Sequence, residues 1–215
     1  MCGMRTIYLH ILEASGCLTP FVKIIERKAN EAIGKIVGKI PLNDLDIIFS
    51  DNPKSTIPEL GIGGYCGDAH TIFIYLDPEF KNFNKTINEE IERTLIHESH
   101  HCLRLRTVGY GETLFEALIS EGLADHFDIE ITKKEPSLWD VALTENQLKK
   151  MREKAKKEYA SKHYNHEDWF FGSKKKGVPR WTAYTLGYTL VDKYLKNNPG
   201  KKPSRLYAVN ADVFK

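Results

Sequence analysis

The first eighty residues alternate short apolar segments with clusters of turn residues, a pattern typical of β-strands. Residues 45–50 (LDIIFS) and 71–76 (TIFIYL) are rich in β-branched and aromatic side chains and predict two strands, and residues 6–12 predict a third. Residues 57–70 (IPELGIGGYCGDAH) contain several glycines. Because glycine permits tight turns and close backbone approach, this segment is expected to be an exposed strand or loop at the rim of a cleft.

An amphipathic helix is predicted before residues 45–50. Thr19 is expected to be its N-cap and Pro20 its first helical residue, since proline fits the first turn of a helix. Apolar residues then recur at helical spacing as far as Val37. The helix is expected to end near Gly38 or Pro41.

From Thr86 onward, the apolar positions follow a helical period. Thr86 and Glu89 have the spacing of a capping box at a helix N-terminus. A buried stripe is expected to follow, comprising Ile87, Ile91, Leu95 and Ile96. Further helices are predicted at residues 111–129, 137–160 and 181–198.

The order of these elements, with strands first and helices afterwards, is that of an α+β protein. A chain of 215 residues is long enough to bury one substantial core. We therefore expect a single domain over residues 1–215. It is expected to have a small mixed sheet in residues 1–85 and a mainly helical part in residues 86–215.

The composition is that of a soluble globular protein, with 41% hydrophobic and 28% charged residues. A membrane span is not expected, because no segment approaches the roughly 18 consecutive apolar residues that it needs. The N-terminal segment MCGMRTIYLHILEASG lacks the continuous apolar centre of a signal peptide. A cytoplasmic protein is the simplest interpretation, although a leader removed beforehand would leave no trace. The oligomeric state is not predicted.

The cysteines form no CxxC pair, which argues against a zinc ribbon and gives little support for a disulfide framework. They are Cys2, Cys17, Cys66 and Cys102. All four are expected to be reduced thiols.

Charge is segregated along the chain. Residues 149–176 contain ten Lys and Arg and four Asp and Glu, a net +6, whereas the whole chain carries +2. A basic segment of this kind either contacts nucleic acid or an acidic partner, or is a solvated helix face. We favour the solvated face, because Glu153 and Glu158 interrupt the basic residues and no aromatic ladder accompanies them.

The segment TLIHESHHCLRLR, residues 94–106, contains the main candidate for chemistry. Residues four apart on an α-helix project within about 40° of each other, so His97 and His101 share one face and His100 does not. Two imidazoles at this spacing can bind one zinc ion, and Glu98 can reach a water molecule beside it. These residues form an HExxH motif, in which Glu98 is the expected general base.

A catalytic zinc site needs a third protein ligand. The metzincin extension of HExxH would require glycine at position 104 and histidine at position 107, where the chain has Arg104 and Thr107. A glutamate from the following helix is the alternative, and Glu116 and Glu121 are both available. Since they are about 140° apart around a helix, only one of them is expected to face the metal.

The position of Glu121 resembles the thermolysin-type gluzincin arrangement, in which HExxH is followed by ExxxD. Glu121 lies twenty residues after His101, and Asp125 lies four residues after Glu121. The resemblance implies that Glu121 is the third zinc ligand. Asp125 is then placed to accept a hydrogen bond from the second ring nitrogen of His97.

Longer segments are similar to the YjaZ-type family of predicted zinc-dependent proteases. These are HESHH, ETLFEALISEGLADHF and WTAYTLGYTLVDKYL, within residues 60–195. The resemblance implies a zincin-like fold, one bound zinc ion and a peptide or protein substrate. It also implies that residues 61–76 supply an edge strand to which the substrate backbone adds.

The oxyanion of a tetrahedral intermediate needs a hydrogen-bond donor besides the metal. Tyr184 and Tyr188, one turn apart on the last helix, are the candidates, and the helix resemblance favours Tyr188. Further candidates in the preceding segment are His163, His166 and Arg180.

The alternative to a peptidase is a zinc-binding protein with a non-peptide substrate or a non-catalytic binding role.

Overall fold

The computed structural model describes residues 6–215, so Cys2 lies outside the described residues. The chain divides into two compact units, the first ending at Leu103 and the second comprising Arg104–Lys215. The expectation of a single domain over residues 1–215 stays a prediction.

The first unit contains a four-stranded mixed sheet. Its strands are β1 (Ile7–Ile11), β2 (Leu45–Asp51), β3 (Ile62–Asp68) and β4 (Thr71–Leu76). The spatial order is β1-β2-β4-β3, with β1, β2 and β4 parallel and β3 antiparallel to β4. All three predicted strands are confirmed, and the glycine-containing segment forms the edge strand β3.

Apolar side chains alternate along the central strands, as expected for a sheet with one face in the core. The buried positions are Leu45, Ile47 and Phe49 on β2 and Ile72, Ile74 and Leu76 on β4. Helix α1 (Val22–Val37) buries Ile25, Ala29, Ala32 and Ile36 at helical spacing.

The start of α1 differs from the prediction. Residues Thr19–Phe21 form a tight 3₁₀ turn, and Thr19 does not cap the helix with its side chain. Pro20 lies within this turn, where its missing N–H costs no helical hydrogen bond. The α-helix therefore begins at Val22, and it ends at Val37, next to the expected Gly38.

Helix α2 (Ile91–Leu105) carries the HExxH motif. The predicted capping box at Thr86 is wrong, because the backbone is already helical from Phe83 and continues through a wider turn at Thr86–Glu90. The Thr86 hydroxyl instead donates a hydrogen bond to the carbonyl oxygen of Leu60, at 2.6 Å. The predicted apolar stripe is confirmed, since Ile87, Ile91, Leu95 and Ile96 are all at most 1% exposed.

The second unit is helical. Its α-helices are α3 (Leu114–Thr132), α4 (Glu145–Lys156), α5 (His166–Phe170) and α6 (Thr182–Asn197). Helices α3 and α6 agree with the predictions. The helix predicted at residues 137–160 is wrong in its first eight residues, since α4 begins only at Glu145, and the short α5 was not predicted.

Helices α3 and α6 pack closely against each other. A Cβ atom on Gly122 would overlap the carbonyl oxygen of Gly187, and one on Gly187 would overlap that of Leu118. Glycine at both positions therefore lets the two backbones touch. Around this pair lies an apolar core that includes Leu118, Leu186 and Phe170, all 0% exposed.

The architecture confirms the expected α+β class, with a small N-terminal sheet followed by a mainly helical C-terminal part. Across residues 6–215, no helix is both long enough and apolar enough to cross a membrane.

Candidate metal centre

His97 and His101 lie one turn apart on α2, as their spacing predicts. Their Nε2 atoms are 3.0 Å apart, and the ring centroids are 4.7 Å apart with the rings at 74°. Two nitrogen ligands of a tetrahedral zinc ion, with Zn–N of about 2.0–2.1 Å, lie roughly 3.3 Å apart. The two imidazoles thus already hold their ring nitrogens at nearly the separation of a shared metal ion.

Glu98 lies on the same helix, against the edge strand. Its side chain is 8% exposed. A Cβ atom on Gly64 of β3 would be 2.6 Å from Oε1 of Glu98 and 2.6 Å from Cγ2 of Thr94. A side chain at position 64 would therefore displace the Glu98 carboxylate, the Thr94 side chain or the strand.

Glu121 is buried on α3, at 6% exposure. The hydroxyl of Tyr110 donates a hydrogen bond to its Oε1 atom, at 2.7 Å. Burial, followed by the negative charge of Glu121, raises the pKa of Tyr110 well above its ordinary value. Tyr110 thus stays protonated and can donate over the whole physiological pH range. Sequence reasoning missed this residue, which lies in the loop between α2 and α3 and has no periodic spacing to Glu121.

Other polar aromatic residues lie near the Glu121 carboxylate. Burial, with added contributions from the charges of Glu121 and Glu116, raises the pKa of Tyr164 to about 12. Burial lowers the pKa of His166, although Glu121 opposes this effect. The His166 ring stacks on Phe170, with centroids 4.1 Å apart. His166 is therefore mainly neutral at neutral pH.

Three of the predicted ligands are residues that could hold a metal ion. They are His97, His101 and Glu121, each of which offers one ligand atom. Two imidazoles and one carboxylate are a donor set found in catalytic zinc sites. The ligand atoms of these three side chains are therefore of the kinds that bind zinc.

Glu116, the alternative third ligand, has a structural role. Its Oε2 atom accepts hydrogen bonds from the backbone N–H groups of Glu112 and Thr113, both at 2.9 Å, and from the Thr113 hydroxyl at 2.8 Å. The Thr113 hydroxyl in turn accepts from the Glu116 N–H, which completes a capping box at the start of α3. This Thr-x-x-Glu spacing is a signal that the sequence contained.

Asp125 is 3% exposed, one turn after Glu121. Its Oδ1 atom accepts a hydrogen bond from the indole N–H of Trp139, at 3.0 Å. The predicted hydrogen bond to His97 stays a prediction. His100, which was expected to point away from the metal, is fully buried.

The two tyrosines predicted to stabilise an oxyanion lie on α6. The Tyr188 ring stacks on His126, with centroids 4.3 Å apart and planes at 7°, and burial together with nearby carboxylates raises its pKa to about 12. The Tyr184 ring packs edge-on against Phe170, at 5.0 Å. Both side chains therefore have packing roles, and their catalytic roles stay predictions.

A family model described as "Predicted Zn-dependent protease (DUF2268)" matches residues 25–215, most of the chain. Neither the curated proteins nor the solved structures contain a match.

Proposed function

Because the chain belongs to this family of predicted zinc-dependent proteases, we propose that it is a zinc metallopeptidase of the gluzincin type. One observation carries the proposal. The Nε2 atoms of His97 and His101 lie 3.0 Å apart on one face of α2, with the carboxylate of Glu98 on the same helix. This is the arrangement that HExxH requires in order to bind zinc beside a general base.

In this proposal, Glu121 is the third ligand and the site holds one zinc ion. Two features support Glu121 over Glu116. Glu121 is among the residues that could hold a metal ion, whereas the carboxylate of Glu116 is engaged in the capping box of α3. Asp125 would accept a hydrogen bond from His97, which would fix the tautomer of that imidazole.

A zinc ion bound here would supply a Lewis acid that polarises the scissile carbonyl and acidifies water. Glu98 would take the proton from the attacking water and deliver it to the leaving amine. Its contact with β3 at Gly64 supports this role, because the edge strand holds the carboxylate in place. Tyr188, or else Tyr184, would donate a hydrogen bond to the developing oxyanion.

The substrate class follows from the family, whose members are predicted proteases. We propose a peptide or protein whose backbone adds to the edge strand β3 as an extra strand, in a zincin-like site. A cytoplasmic location is part of the same proposal.

The test uses zinc-loaded protein with unfolded protein substrates and a panel of peptides, and a chelator control. Glu98→Gln is expected to retain zinc and to lose hydrolysis by a factor of at least about 100. Glu89→Gln is the matched control, because Glu89 is an exposed residue preceding the same helix, and it should keep full activity. Chelator-sensitive hydrolysis that survives in Glu98→Gln would refute the assignment of the base.

If wild-type protein binds zinc and cleaves no peptide, the metal site stands and the peptidase assignment fails. Hydrolysis of a non-peptide bond by the same protein would then identify the alternative function.

A further inference from the structure

Two thiols outside the proposed ligand set lie against each other in the first unit. Cys66 is on the edge strand β3 and Cys102 is on the metal-binding helix α2, and both are free thiols. Their Sγ atoms are 2.6 Å apart, compared with about 2.05 Å for a disulfide bond. Both thiols also lie near the carbonyl oxygen of Asp68, at 3.1 and 3.4 Å.

An irregularity in β3 accompanies this contact. The pairing of β3 with β4 shifts register between Cys66 and Asp68, which leaves Gly67 as the extra residue. A bulge of this kind bends a strand and changes the direction of nearby side chains. Cys66 and Cys102 are 36 positions apart in the sequence, so the contact is made by the fold and not by neighbouring sequence.

We propose that Cys66 and Cys102 are a disulfide-forming pair, which on oxidation ties the edge strand to the metal-binding helix beside His101. The separation of the two sulfur atoms is small enough for bond formation with little movement of either side chain. The same two elements touch at Gly64 and Glu98, so the disulfide would tether the strand beside the proposed general base.

The two thiols differ in accessibility, and this sets the order of the steps. Cys66 is partly exposed, whereas Cys102 is 0% exposed. A small disulfide such as oxidised glutathione would react first with the Cys66 thiolate, forming a mixed disulfide and releasing one glutathione thiol. The Cys102 thiolate would then attack the Cys66 sulfur and release the second glutathione thiol.

The two steps balance. The protein loses two electrons and two protons as its S–S bond forms, and the small disulfide gains both as it becomes two thiols.

The hydrogen bond with Cys102 and burial raise the pKa of Cys66, so little thiolate is present at neutral pH. Oxidation is therefore expected to be slow at pH 7 and faster in alkaline buffer.

The experiment uses full-length protein carrying Cys2→Ser and Cys17→Ser, so that only the proposed pair remains. After incubation with oxidised glutathione at mildly alkaline pH, intact mass and peptide mapping should show the loss of two hydrogens and a Cys66–Cys102 cross-link. Dithiothreitol should reverse both changes. Persistent glutathione on Cys66, or two thiols that still react with an alkylating agent after unfolding, would overturn the proposal.

Single variants in the same background give matched controls. Cys102→Ser should accumulate stable glutathione on Cys66, because no second thiol resolves the adduct. Cys66→Ser should stay unmodified, because Cys102 is buried. Rapid glutathione addition to Cys102 in that variant would contradict the proposed order. None of these readouts requires zinc or peptidase activity, so the result stands independently of the proposed function.

Discussion

At the scale of single residues, Glu121 is a buried carboxylate with one oxygen already engaged. Tyr110 donates to its Oε1 atom at 2.7 Å. A hydrogen bond to a metal-binding carboxylate fixes its orientation and tunes the site, and its loss typically reduces metal affinity by about 10–100-fold. If Glu121 binds zinc, Tyr110 is its positioning residue.

Tyr110→Phe is therefore expected to weaken zinc binding by about 10-fold, measured by competition with a chelator of known affinity. The matched control is Tyr159→Phe, because the Tyr159 ring packs on Phe115 in the same unit and its hydroxyl has no hydrogen-bond partner among residues 6–215. The control should bind zinc as wild type does. Equal affinity in both variants would show that Tyr110 does not position a ligand.

Gly64 is the second residue with a definite steric role. A methyl group there would lie 2.6 Å from Oε1 of Glu98, so Gly64→Ala must displace the carboxylate or the strand. Because a misplacement of about 1 Å can cost about 100-fold in rate, kcat/KM should fall by roughly that factor while zinc content is unchanged. Gly34→Ala, where a Cβ atom meets nothing within 4 Å, should leave both quantities unchanged. Wild-type activity in Gly64→Ala would contradict the proposed role of Glu98.

At the scale of elements, the start of α3 depends on the Thr113–Glu116 capping box. Loss of an N-cap side chain typically costs about 1 kcal/mol of folding free energy. Thr113→Ala should therefore lower the free energy of unfolding by about that amount at pH 7, measured by urea titration. Glu112→Gln, which removes an exposed ion pair with Lys162, should change it by much less.

The capping box also predicts a pH dependence. Burial tends to raise the pKa of Glu116, but hydrogen bonds from Thr113 and Glu112 outweigh this effect and hold the pKa below its ordinary value. A lowered carboxyl pKa stabilises the folded state above the unfolded pKa, about 4.3, and this contribution is lost as the pH falls through the folded pKa. The stability difference between wild type and Glu116→Gln should be full at pH 6 and shrink below pH 4. A difference that grows on acidification would contradict this prediction.

Comparison of two similar segments explains why the elements were predicted better than their ends. Thr86 and Glu89 have the same spacing as Thr113 and Glu116, yet only the second pair forms a capping box. Thr113 has an extended backbone (φ −104°, ψ 159°), whereas Thr86 is already helical (φ −50°, ψ −53°). A cap requires a non-helical backbone at its first residue, and preceding residues decide this.

Sequence spacing alone also left the start of α4 and one residue of the candidate site unpredicted. Thr144 caps α4 in a box with Gln147, and this start signal was present within the predicted helix of residues 137–160. Helical spacing identified His97 and His101, because both belong to one element. It did not identify Tyr110, whose hydrogen bond to Glu121 depends on how a loop folds back.

At the scale of the whole molecule, the charge distribution agrees with a solvated basic surface. Two of the acidic residues in the segment 149–176 form ion pairs within it, Glu153 with Lys156 and Asp168 with Lys176. All four side chains are partly or largely exposed, so these pairs contribute little to stability.

Zinc binding should stabilise the whole fold, because a ligand that binds only the native state adds to its stability. At a free zinc concentration 100 times Kd, the free energy of unfolding rises by about 2.7 kcal/mol. For a chain of this size, that corresponds to a rise in Tm of about 5–10 °C over chelated protein. His101→Ala should have the same Tm with zinc and with chelator. An equal zinc-dependent rise in His101→Ala would place the ion elsewhere.

The ligand set itself is tested most directly by zinc content. Wild type, Glu121→Ala and Glu116→Ala would be purified, dialysed against a weak chelator and analysed for bound metal, with circular dichroism to verify folding. We predict about one zinc per chain in wild type and in Glu116→Ala, and almost none in Glu121→Ala. Folded Glu121→Ala that keeps a full zinc equivalent, or Glu116→Ala that loses it, would contradict the proposed metal centre.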